Sequence, residues 1–415
     1  MPNLISLAVL GVLSMAIMAK AADTPIVQPA EAAAGAGNAF AVDLYSQVRH
    51  TDGNLCLSPY SISSALQMTA AGAAGKTADQ MLAVLHWTAP AGDMAVASSA
   101  LTSQILGPIP TATQKQLQPD GEPWIAIANA LFGQRGYSYK QPFLDLLAKQ
   151  YAAPLQDVDF QTQPAQACDQ INKWAADKTH DRIKDAVPTS AITPSTRLVL
   201  VDAIYFKAAW EHAFEKSATE DQPFFPAGKD PLNVPMMQQK HSFDYVENDS
   251  LQAVELPYKG EFSMVVLLPR KRDGLADLEK SLTSDGLNGW LKQLAPQTVE
   301  LSLPKFRIEG EFDLNDTLSK MGMPDAFNPQ TADFSGITSP DKLSIDHVIH
   351  KTFIAVDEAG TEAAAVTAVT MSLMAMRPEP NPVVFRADHP FLFVLRHRAT
   401  GAILFMGRVA EPKQD

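Results

Sequence analysis

The chain has 415 residues, 46% of them hydrophobic, and a formal net charge of −13. That is ample for a large core in one big domain or two smaller ones, and no run of Ser, Gly or Gln is long enough to be disordered. The acidic balance argues against nucleic acid or a heparin-like polyanion as partner, and Lys115 is the only basic residue between Thr88 and Pro123.

Leu4 to Met18 is a short apolar run, followed by Ala19-Lys20-Ala21 with small residues at both ends of a cleavage triplet. Residues 1–21 therefore read as a secretory signal peptide, and the mature protein is expected to be secreted, extracellular or periplasmic. The segment before the run lacks Lys and Arg, which leaves a retained anchor as the alternative. The run is, however, shorter than the ~20 residues a helical span needs. No later segment reads as membrane-inserting. Residues 22–37, rich in Ala, Pro and Gly, read as a flexible extension, with one folded domain over 38–415.

Asn54 to Leu57 reads as a strand, and Ser58-Pro59 as a helix start, with Ser as N-cap and Pro in the first turn. Ile62, Ala65, Leu66 and Thr69 then share a helical face. Trp124 to Phe132 reads as a strand, and Ile171, Trp174, Ala175 and Lys178 mark an amphipathic helix. Leu198 to Phe206 is almost continuously apolar, which predicts a central strand covered on both faces, with Asp202 anomalous in its middle. Further strands are predicted at Phe262–Pro269 and Val299–Phe306, a helix at Leu314–Met323 and a compact loop at Ala332–Ile337. A hairpin of Pro390–Arg396 and Ala402–Val409 ends the chain. Strands and helices do not alternate regularly, so the class is α+β, and no linker divides it.

Cys56 and Cys168 are the only cysteines and form neither metal-ligand spacing nor a disulfide framework. There is no H-E-x-x-H, no phosphate-binding Gly loop and no G-x-S-x-G elbow. No metal, cofactor or catalytic triad is expected, and the chain does not read as an enzyme.

The segment Val356 to Met371 is unusual. Glu358, Gly360, Thr361 and Glu362 lead into Ala363, Ala364, Ala365, Val366 and Thr367, a small-residue run without Pro. With a period of two, Thr361, Ala363, Ala365, Thr367, Val369 and Met371 share one face, and the run could slide into a sheet with little side-chain resistance. Its Ala and Glu also favour helix, and propensity alone leaves both open. Pro378, Pro380 and Pro382 then mark an exposed loop.

These segments together resemble the serpin family over nearly everything after Asn38. The matching stretches include Asn54–Leu66, Asn129–Phe132, Ile171–Ile183, Leu198–Trp210, Val234–Met237, Leu256–Pro269 and Leu303–Glu309. Ala332–Ile337, His350–Ala365 and Phe385–Leu395 follow in the family's order. The resemblance implies three β-sheets, eight or nine helices and an exposed reactive loop, here about 358–382. It further implies a monomer that traps a serine protease as a covalent acyl-enzyme complex, the cut hinge inserting as a new strand of the largest sheet.

Fourteen positions after the hinge Gly, the family's specificity residue falls on Met374, with cleavage at Met374-Ala375. An apolar Met suits elastase-, chymotrypsin- or subtilisin-like pockets. Leu373 and Arg377 are alternative cleavage positions. The rival within the family is a non-inhibitory carrier, chaperone or protease substrate. Trp210 matches a position where the loop enters the sheet, and Ser58, Ser61, Asp202 and His350 match a cluster beneath the point where the sheet opens. Asp202 stands where the family commonly has Asn. An ionised Asp only accepts hydrogen bonds, so a buried one needs a partner. The expectation is an Asp202–His350 pair that makes sheet opening sensitive to pH; the alternative is a carboxylate satisfied by backbone N–H and hydroxyl donors.

Overall fold

Helix α1 (Pro29–Val48), strand β1 (Leu55–Leu57) and helices α2 (Pro59–Ala70), α3 (Gly75–Val84) and α4 (Ala91–Leu106) open the molecule. β2 (Trp124–Gln134), α5 (Gln141–Gln150), β3 (Gln156–Val158), α6 (Pro164–Lys178) and β4 (Leu198–Ala209) follow. Next come β5 (Glu220–Phe224), β6 (Leu232–Glu247), β7 (Leu251–Pro257), β8 (Phe262–Pro269), α7 (Leu275–Ser281) and α8 (Ser284–Gln293). β9 (Ala295–Pro304), β10 (Phe306–Asp313), α9 (Asn315–Met321), β11 (His347–Val356) and β12 (Gly360–Thr361) lead to the closing strands. These are β13 (Val383–Arg386), β14 (Phe391–His397) and β15 (Ile403–Val409). The computed structural model describes residues 29–89, 91–107, 124–339, 343–362 and 381–413; the expected signal peptide (1–21) and the Met374-Ala375 bond lie outside them.

The architecture is α+β. A six-stranded sheet runs β10-β11-β12-β4-β2-β3, and β11 also pairs β4 directly. The other strands join one nine-stranded hydrogen-bonded network. Two of the three sheets implied by the resemblance are fused in it by the 16-residue β6. The first part of β6 carries β5, and its last residues, Asp244–Glu247, carry β7. The stretch Val299–Phe306, read as one strand, is cut at Lys305 into β9 and β10. Pro304 has no N–H to continue a ladder, and there the chain passes from one sheet to the other.

β4 is covered on both faces, as its unbroken apolar run requires. Val199 and Val201 pack with Ile171 and Ala175 of α6, while Leu198 and Leu200 face the core that holds Ile62 and Leu66 of α2. Cys56 is buried, and burial pushes its thiol up to about 12.

The flexible extension is corrected over its second part. α1 begins at Pro29, and Ala30, Ala33 and Ala34 are buried in a cluster with Ala97, Leu101 and Ile105 of α4. Alanines three and four apart give a small face that lets two helices approach closely, and Gly35 and Gly37 have open space around them. Composition read these residues as loose; packing makes them helix.

Candidate functional site

Two residues of the predicted hinge, Gly360 and Thr361, are already part of the six-stranded sheet. Gly360 and Thr361 pair antiparallel with Ala209 and Ala208 of β4, and Thr361 also lies opposite Val356 of β11. Below them no strand intervenes: His347–Thr352 of β11 runs parallel to Val199–Ile204 of β4. The predicted loop of 358–382 is corrected at its start, because Glu358 and Thr361 are buried in the folded body.

Each of these residues is held by named contacts. Glu358 Oε2 lies 3.0 Å from Lys305 Nζ, and its Oε1 accepts from Thr219 Oγ1 at 2.9 Å. Burial opposes the ionised carboxylate, yet the backbone, Lys305 and Thr219 together hold it below the usual carboxylate range. Gly360 has a φ of 152°, and any β-carbon there would run into the Ala208 carbonyl of β4, so only glycine lets the chain lie this close. Thr361 Oγ1 shares a 2.6 Å hydrogen bond with the buried Tyr258 hydroxyl. Tyr258 stacks on Trp210 with ring centroids 4.2 Å apart, and the Trp210 indole N–H donates to the Asp357 carbonyl at 3.0 Å. Tyr258, Thr219 and Lys305 were not singled out from the sequence; their roles depend on three chain crossings that no local pattern reveals.

Glu362 closes the described hinge. Its φ is 47°, in the left-handed region that a residue with a side chain seldom occupies. Its amide donates to the Ala355 carbonyl at 3.0 Å, and its Oε1 lies 2.9 Å from Arg182 Nε. Ala363, Ala364, Ala365, Val366 and Thr367 lie outside the described residues.

Ser58, Ser61, Asp202 and His350 meet beneath the directly paired part of β4 and β11. The Ser58 amide donates to His350 Nε2 at 2.9 Å, so that nitrogen accepts and the ring proton sits on Nδ1. Nδ1 in turn faces Asp202 Oδ1 at 3.2 Å, and Asp202 Oδ2 is buried with no hydrogen-bond partner. Ser58 Oγ caps α2 by accepting the Ser61 amide at 3.3 Å. Ser61 Oγ donates to Asn129 Oδ1 at 2.6 Å, and Asn129 Nδ2 returns a bond to the Ser61 carbonyl at 3.0 Å. Asn129, opposite Asp202 in the β2–β4 ladder, belongs to the cluster and was missed; an Asn inside an otherwise apolar strand was the available signal.

Asp202→Asn is expected to raise the melting temperature, because it removes a buried charge with an unpartnered oxygen, a defect that costs about 1–3 kcal/mol or more. Thermal unfolding of the two proteins checks this, and identical melting temperatures would show that the unpartnered oxygen carries no cost.

The sequence profile of the Serpin (serine protease inhibitor) family matches residues 35–412. The chain is 43% identical to an uncharacterised serpin-like protein of Thermococcus kodakarensis, over 91% of this chain and 85% of that one. It is 39% identical to the leukocyte elastase inhibitor of Equus caballus, over 90% of this chain and 97% of that one. Among solved structures, human thyroxine-binding globulin complexed with thyroxine superposes with a TM-score of 0.81 at 28% identity, covering 93% of this chain and 100% of that chain.

Proposed function

The chain belongs to the serpin family of serine protease inhibitors, and from that membership we propose that it is a secreted, monomeric, suicide-type inhibitor of serine endopeptidases. Serpins are in general inhibitors rather than catalysts. The bait bond is Met374-Ala375, and the targets have elastase-, chymotrypsin- or subtilisin-like pockets. The protease serine attacks the Met374 carbonyl, the Ala375 amine departs with a proton, and an ester joins the serine oxygen to Met374. Water would normally cleave that ester. The freed hinge instead runs into the sheet and carries the protease away before hydrolysis, roughly 45 Å at ~3.3 Å per residue.

One observation carries the reading: the sheet holds the first residues of a further strand between β4 and β11, with the seat beneath them closed. The register supports it too. Counting six residues from Thr361, Ala208 and Val356 brings Thr367, Asp202 and His350 side by side in a continued strand. Both ladders converge on the same residue, and Ala363, Ala365 and Thr367 then share the inward face of Thr361. None is large or charged.

The likeness to a thyroxine carrier favours a second reading, a non-inhibitory serpin. Incubation with elastase, chymotrypsin, subtilisin and trypsin separates the two. A detergent-stable complex with a cut after Met374 is the expected result for at least one apolar-specific enzyme. Clean cleavage of the loop by every enzyme, with no complex, overturns inhibition.

A further inference from the structure

Glu362 is the one charge between Thr361 and Met376, and it sits where the chain turns out of the sheet. Its side chain is 6% exposed, Oε2 has no hydrogen-bond partner, and the carboxylate meets the guanidinium of a half-exposed Arg182. Burial first, then hydrogen bonding to the Glu362 carboxylate, push the Tyr205 hydroxyl well above its ordinary value, so a phenol also lies against the carboxylate.

Arg182 comes from the connection between α6 and β4, not from the sheet. That connection is a built turn: His180 and Asp181 are left-handed, with φ of 51° and 62°. The Arg182 amide donates to the Thr179 carbonyl at 3.0 Å, and the Ile183 amide to Thr179 Oγ1 at 3.0 Å. The guanidinium lies over the Phe353 ring of β11 at 5.5 Å. The Arg182 guanidinium is thus placed between the Phe353 ring of β11 and the carboxylate of Glu362.

We propose that Arg182 is a positioning residue for inhibition: its ion pair with Glu362 keeps Gly360 and Thr361 seated in the uncut protein, so insertion begins from a strand already started. The proposal rests on the inhibitor reading for its consequence and not for the seat itself. The seat matters because trapping is a race between strand growth and hydrolysis of the ester. A hinge seated only part of the time inserts more slowly by that fraction. For the strand to grow, Glu362 must leave its left-handed conformation for an extended one, where its cross-strand neighbours become Lys207 and Ala355, the residues beside Ala208 and Val356. Lys207 is then the cation that receives the carboxylate, so the pair holds the first step without blocking the next.

The test uses the intact, uncut protein. Amide hydrogen exchange of the peptide spanning Val356 to Ala363 is followed by mass spectrometry in the wild type, Arg182→Met, Glu362→Gln and the double variant. Each single change is expected to speed exchange on the order of tenfold, with the double no faster than the faster single, because both remove one interaction. Unchanged exchange in Arg182→Met, or singles that add, overturns the proposal. With a protease that the wild type traps, Arg182→Met is expected to raise the number of inhibitor molecules consumed per protease on the order of fivefold. The melting temperature of the cleaved form should stay unchanged, a split that general destabilisation would not produce. An unaltered stoichiometry also overturns the positioning role. Faster exchange combined with no complex in any wild-type incubation upholds the seat and removes the inhibitor reading instead.

Discussion

A single cut at Met374-Ala375 is expected to raise the melting temperature by roughly 10–20 °C. In the uncut protein β4 and β11 already satisfy each other across the seat, from His347 to Thr352. A strand inserted between them keeps both partners hydrogen-bonded and adds its own two rows. About thirteen residues follow Thr361 to the cut, and at ~1 kcal/mol net each they contribute on the order of 10–15 kcal/mol. That rivals the entire stability of many domains, about 5–15 kcal/mol. An entropy of unfolding near 2.1 cal/mol/K per residue, summed over roughly 380 residues, converts the gain into the stated shift. Limited proteolysis followed by calorimetry measures it. A clipped form that melts no higher than the intact chain would leave the proposed mechanism without a driving force.

The second large effect is expected from Thr367→Glu, which should leave the uncut protein's melting temperature unchanged and nearly abolish trapping. In the continued register residue 367 lies between Asp202 and His350, which are 1% and 0% exposed. A carboxylate there meets the Asp202 carboxylate one strand spacing away, about 4.8 Å. At an effective dielectric constant of about 20 that repulsion is on the order of 3 kcal/mol, or roughly a hundredfold in the race against hydrolysis. The variant should be cut at the same bond and released as a spent substrate. Complex yield on a denaturing gel and the melting temperature of the cut form are the measurements, with Thr367→Val as the uncharged control. A Glu variant that traps as well as the wild type would show that the bait does not follow the register set by Gly360 and Thr361.

Ser58 was legible as an N-cap and Asp202 as a charge inside an apolar strand, whereas Ser61 and His350 were nameable only through the family resemblance. Their spatial meeting could not be read from spacing, since the bond between Ser58 and His350 joins residues 292 apart. The seated state of the hinge was equally hidden. Gly360 announces freedom to any local reading, whereas the structure uses its missing side chain to fit under the Ala208 carbonyl. Arg182 gave no signal at all, because one arginine in a turn after a helix looks solvated until its partner strand is placed. The start of α1 was lost for the converse reason: alanines and glycines look featureless until another helix lies against them.

The face-to-face stack of Trp210 on Tyr258 gives the molecule an internal optical gauge. The indole N–H is tied to the Asp357 carbonyl, three residues upstream of Gly360, and the phenol beneath it is tied to Thr361. Any displacement of that short stretch changes the surroundings of a chromophore in direct contact with it. With the other four tryptophans replaced, its intrinsic emission can therefore follow the hinge in real time, with no label attached.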